Sequence, residues 1–136
     1  MNLKGFDSQP VRFSRVYEIQ LSEPPDSAEM SAEIRMNISN ALARLTGMLE
    51  ENGCVLIGHI KAYLDAGPDG GIFFSITAFG REPQCRGEMR ADVSSARLIL
   101  NVIVFGVDEE TVGRIAEVCF KEIQGKDDGG RKDGGR

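Results

Sequence analysis

Tryptophan is absent from these 136 residues, histidine occurs once, tyrosine twice and cysteine three times. Each scarcity removes a class of explanation. A single histidine, His59, cannot complete a zinc site or a histidine-based relay unaided, and with Cys54 or Cys85 it makes an incomplete ligand set, so no metal site is expected. Cys54, Cys85 and Cys119 are odd in number, widely spaced and without a Cys-x-x-Cys pair, which argues against a disulfide framework and for a reducing compartment. No run approaches the ~18 consecutive apolar residues of a membrane span, and the opening MNLKGFDSQP has no apolar secretory core. The expectation is a soluble, cytoplasmic chain with no membrane partner. Basic charge is also short: 16 Lys and Arg against 21 Asp and Glu leave a formal charge of -5. A mildly acidic surface opposes counterion release, so no nucleic-acid partner is expected.

What is present is ordinary globular material. Apolar residues make up 41% and charged residues 27%, enough to build a core, and the length suits one domain. Residues 1–125 are assigned to that domain. The remainder, KDDGGRKDGGR, offers nothing to bury and is expected to be a disordered tail over 126–136.

Along the chain, Phe13, Tyr17, Ile19 and Leu21 alternate with polar residues as a half-buried strand does, Arg15 being the exception on that face. Asp26 and Glu29 have the spacing of a capping box. Met30, Ile34, Ile38, Ala41, Leu42, Leu45 and Leu49 then recur at threes and fours, the stripe of a long helix that Asn52-Gly53 stops. From 55 to 66 the even positions, Leu56, Gly58, Ile60, Ala62, Leu64 and Ala66, form one apolar face. Gly67-Pro68-Asp69-Gly70-Gly71 is a turn, and Ile72 to Phe79 reads as the returning strand of a hairpin. Keeping Ile72, Phe74, Ile76 and Ala78 on the core side with Leu56, Ile60, Ala62 and Leu64 requires an odd-length turn. Residues 80–95 form a long polar connection with room for a short irregular strand. Ala96 to Phe105 alternates strongly enough to be the best-buried strand. Asp108 caps a second helix whose stripe is Val112, Ile115, Ala116, Cys119 and Ile123, ended by Gly125. The fold class expected is α+β, an antiparallel sheet covered on one face by two helices in the order β-α-β-β-β-α, a ferredoxin-like variant.

The opposite sheet face carries the candidate site. It is expected to gather His59, Lys61, Tyr63, Ser75, Thr77 and Asn101, interleaved with Phe73, Phe79, Ile99, Ile103 and Phe105, with Lys61 and Arg97 at its rim. A face so rich in aromatic and branched residues points to a second copy of the chain, a partner or a ligand. His59, Lys61 and Tyr63 form either a proton-transfer or anion-binding trio, or part of an interface. Arg81, Arg86 and Arg90 are candidates for an anion clamp if their loop folds over the sheet, with solvated pairing to Glu82, Glu88 and Asp92 as the alternative. No catalytic set and no cofactor can be named.

Gly58-His59-Ile60-Lys61 followed by a hairpin, a glycine near 87, and the strand Leu98 to Val104 leading into an Asp-capped helix resemble the C-terminal accessory segment of some CobW-type GTPases, proteins associated with metal and cobalamin handling. The likeness runs over roughly 28–124. It implies a module that works with a GTPase in metal or corrinoid handling, with His59, Lys61 and Asn101 as the matching polar positions. The chain has no G-x-x-x-x-G-K-[ST] phosphate loop and no cysteine-rich metal motif, so hydrolysis and metal transfer do not carry over. The leading functional expectation is a non-catalytic, homo-oligomeric accessory or binding module. The alternatives are a small oligomeric enzyme or ligand-binding protein with a pocket between subunits, using His59, Lys61 and Tyr63, and a structural dimerisation domain.

Overall fold

Alternation and periodicity mark six regular elements in the chain, and the structure adds a seventh, an edge strand. The computed structural model describes residues 9–21, 27–90, 93–121 and 123. The expected capping box at Asp26 and Glu29, the glycine stop at Gly125 and the tail over 126–136 lie outside the described residues, as does the side chain of Met30. In order come β1 (Val11–Gln20), α1 (Ser27–Glu51), β2 (Leu56–Asp65), a short 3-10 turn, β3 (Gly70–Ile76), β4 (Gln84–Met89), β5 (Ser95–Phe105) and α2 (Glu109–Phe120). The five strands form one antiparallel sheet in the order β1-β5-β2-β3-β4. The α+β class and the antiparallel sheet are as expected. The element order differs from the expected ferredoxin-like one, because the polar stretch after β3 contributes a full edge strand.

Helix α1 forms because its apolar stripe has a sheet to cover: Ile34, Ile38, Ala41, Leu42, Leu45 and Leu49 are all buried. They pack in one cluster with Ile60, Ala62 and Leu64 of β2, Ile72, Phe74 and Ile76 of β3, and the even residues from Ala96 to Val104 of β5. Helix α2 adds Val112, Ile115, Ala116, Cys119 and Phe120. Its start is fixed by Asp108, whose Oδ1 accepts from the Thr111 amide at 2.8 Å. Hydrogen bonding from the Thr111 side chain first, and then from its amide, holds the Asp108 carboxyl below the usual range. Gly53, at φ 102°, ends α1 in a conformation that suits glycine.

The hairpin register is the one that parity demands. Leu64 lies opposite Ile72, Ala62 opposite Phe74 and Ile60 opposite Ile76, and the odd-length turn closes with the Ala66 amide donating to Gly70 O at 2.9 Å. Two expectations for the core side fail, each for a local reason. The first concerns the start of β2, where the register with β5 slips between Ile57 and His59. Gly58 is the extra residue of a β-bulge, so Ile57 turns into the core while Leu56 is 52% exposed on the other face. A Cβ at Gly58 would stand 3.0 Å from Ile103 O, so the bulge suits glycine. The second concerns the end of β3. The strand stops at Ile76, leaving Ala78 exposed, and Phe79 packs against the core cluster instead of the outer face.

Candidate functional site

Residues directly opposite one another on neighbouring strands point to the same side of a sheet, so the register assembles the outer face row by row. One row runs Ser14, Asn101, Lys61, Ser75 and Gln84 across all five strands, and it is polar throughout. Ser14 Oγ donates to Asn101 Oδ1 at 2.6 Å within it. The next row is Val16, Ile99, Tyr63, Phe73 and Arg86, apolar over four strands. On the other side of the polar row stand Arg12, Ile103 and His59, followed by Phe105 and Leu56. Val16, Leu56 and Phe73 are each just over half exposed.

The structure therefore brings His59, Lys61, Tyr63, Ser75 and Asn101 onto one face, as parity implies. Thr77 lies past the end of β3 and is exposed. Lys61 is not at a rim: β2 is the central strand, so its ammonium rises from the middle of the sheet. His59 stands opposite Ile103. Tyr63 is turned onto Phe73, with ring centroids 4.3 Å apart and planes 24° from parallel. The Tyr63 ring also fills the space above Gly71, where any Cβ would overlap it.

The three arginines proposed as a clamp do not converge. Arg81 precedes β4, Arg86 sits on the outer face opposite Phe73, and Arg90 follows β4, its Nε 3.6 Å from Asp69 Oδ1. The segment cannot fold over the sheet because it is part of the sheet. Its inner side is tied to α1 by Arg35, which donates to Gly87 O at 2.6 Å and to Cys85 Sγ at 3.3 Å. Cys85 thus faces Arg35, away from His59. Cys54 and Cys119 are buried, and burial pushes both thiols up, away from the thiolate form. Among the described residues no group of three or more His, Cys, Asp or Glu side chains could hold a metal ion, and no helix there is long and apolar enough to cross a membrane.

On the helix-covered side, Arg15, the exception in the strand pattern, has a partner. Its Nη2 lies 3.0 Å from Glu117 Oε1 on α2, and its guanidinium carbon 5.6 Å from the Tyr17 ring centre. Tyr17 Oη is buried without a hydrogen-bond partner among the described residues. Burial first, and then the Glu117 carboxylate, push the Tyr17 pKa up to about 12. The fold thus favours the neutral phenol, while an unfolded tyrosine ionises near ~10. Stability is expected to fall as pH rises through that window, because the unfolded chain releases the proton first. Tyr17→Phe should remove this part of the alkaline loss and, by deleting an unsatisfied buried hydroxyl, raise stability at neutral pH by about 1 kcal/mol. Urea melts of both proteins at neutral and alkaline pH test this. Equal alkaline slopes would reject the assignment.

Comparison with family models, with curated proteins and with solved structures finds no match to this chain.

Proposed function

We propose that the protein is a binding module that associates with a second copy of itself through the outer face of its sheet. The observation that carries this reading is the apolar surface on that face: Val16, Ile99, Tyr63 and Phe73 in one row, with Ile103, Phe105 and Leu56 beyond the polar row. Large apolar patches are uncommon on monomers. Five strands about 4.8 Å apart, 6 to 11 residues long at about 3.3 Å per residue, make a face roughly 20 Å across and about 20–36 Å along the strands. That footprint is of the order of the ~800 Å² that each partner buries in a standard interface. Charge supports a second copy as the occupant. The chain is acidic overall, yet this face carries Arg12, Lys61, Arg86 and Arg97 against Glu18, Asp65 and Glu88. Two such faces can meet without net repulsion, their rims offering both signs.

Under the resemblance to the accessory segment of CobW-type GTPases, the module's wider role is to serve a GTPase in metal or corrinoid handling. That extension rests on the matching positions His59, Lys61 and Asn101. The association itself is tested by sedimentation over a concentration series. Wild-type protein is expected to be dimeric or larger at micromolar concentration. Ile103→Lys, which would bury an unpaired charge in the interface, should weaken association by about 100-fold or more. A wild-type monomer, or an Ile103→Lys protein that associates equally well, would sink the reading.

A further inference from the structure

Beyond self-association, and open wherever that face is not covered by a second copy, the outer face holds a cleft of about 570 Å³ toward the β4 edge, lined by Lys61, Phe73, Ser75, Gln84 and Arg86 among others. We propose that this cleft binds a small organic anion: a phosphate, sulfonate or carboxylate carried on a flat aromatic ring.

The anionic half follows from two cations left without counterparts. Lys61 and Arg86 make no ion pair among the described residues; Arg12 on the same face makes none either, but only Lys61 and Arg86 line the cleft. Lys61 rises from β2 directly opposite Ser75, and Arg86 from β4 directly opposite Phe73. They stand on either side of β3, so a group lying over Ser75 is within reach of both. Ser75 and Gln84, paired across β3 and β4, add a hydroxyl and an amide as further donors. Glu88, the nearest carboxylate on this face of β4, belongs to the row beyond, opposite Gly71.

The aromatic half follows from Phe73. Its ring is held from the β2 side by the stack with Tyr63, yet Phe73 remains 51% exposed. A large, oriented, half-exposed ring between two cations is a surface on which a flat ligand can stack while its anionic group reaches Lys61 and Arg86. The volume falls within the ~300–1,000 Å³ of small-molecule sites. An extended polyanion fits less well, since it would have to cross Glu18, Asp65 and Glu88 on the same face.

The test is a fluorescence titration with anilinonaphthalene sulfonate, beside its uncharged parent phenylnaphthylamine. Wild-type protein is expected to bind the sulfonate about tenfold or more tighter than the parent, as a charge-assisted contact implies. Lys61→Glu and Arg86→Glu, both at exposed positions, should each weaken sulfonate binding by about tenfold or more, and Phe73→Ala by a similar factor. Ile103→Lys, outside the cleft, should leave it within about twofold. All titrations are run below the protein concentration at which sedimentation shows association, so the cleft is uncovered in every variant and failure of the association reading is seen separately. Equal affinity for the two dyes, no sulfonate binding to wild type, or unchanged binding in either Glu variant overturns the proposal. So does a loss in Ile103→Lys as large as that in Arg86→Glu, because the dye would then be reporting the apolar face as a whole.

Discussion

Phe120→Ala is expected to lower the unfolding free energy by about 3–5 kcal/mol, a large part of the ~5–15 kcal/mol that a domain of this kind has in total. Phe120 is fully buried. Its ring stacks on Tyr17, with centroids 5.4 Å apart and planes 19° from parallel, so it joins α2 to the edge strand β1. Truncation removes the transfer free energy of an aromatic side chain and opens a cavity between two elements that are covalently remote. Neither can close it alone: α2 is tied at its start by the Asp108 cap, and β1 is held along its length by β5. Val118→Ala, two residues earlier on the exposed side of the same helix, should change stability by less than about 0.5 kcal/mol. Denaturant melts of the two variants provide the measurement. A loss below about 1.5 kcal/mol for Phe120→Ala would mean that the pocket collapses and that the stack with Tyr17 does not anchor β1.

Much of the fold was legible in side-chain pattern, and the exceptions have physical causes. The register of β2 and β3 could be read because only one parity keeps Ile60, Ala62 and Leu64 on the same side as Ile76, Phe74 and Ile72. The bulge at Gly58 broke that parity for Leu56 and Ile57, and a lone glycine within a strand was the available signal. The spacing of Val112, Ile115, Ala116 and Cys119 marks the stripe of α2, and Phe120, eight residues after Val112, continues it although that stripe does not name it. The outer face was predictable from parity, so His59, Lys61, Tyr63, Ser75 and Asn101 were found together. Its layout was not, because strand order depends on long-range pairing: Lys61 went from rim to centre once β5 lay beside β2. Arg86 joined Lys61 for the same reason, through β4. That strand has exposed residues on both faces until Met89, so no alternation marks it, and the hydrogen bonds that make it a strand are backbone ones.

The dependence of β4 on its backbone leads to a sharp expectation for Gly87. This residue lies opposite Ile72 with φ 110°, and any Cβ there would overlap Gly71 O. One row away Gly70, opposite Met89, has φ 109° and would overlap Glu88 O in the same way. Each obstacle is a main-chain oxygen of the neighbouring strand, so a side-chain rotation cannot relieve it. Gly87→Ala therefore combines an unfavourable φ with a steric overlap, about 2–3 kcal/mol against the paired state. An edge strand has a cheaper response than global unfolding, because β4 buries little beyond Met89 and can leave the sheet. Its departure would also break the bond from Arg35 to Gly87 O and dismantle the cleft formed with Phe73 and Ser75. Hydrogen exchange should then show the β3 amides that face β4 losing protection while those of β2 and β5 keep theirs, with sulfonate binding lost in parallel. Gly47→Ala is the control: it lies on the exposed side of α1 near its C-terminal end, with nothing within 4 Å of a new Cβ, and should stabilise by about 0.5–1 kcal/mol. Full protection of β3 in Gly87→Ala would show that the strand pair accommodates a Cβ, and that glycine at 87 does not hold β4 in place.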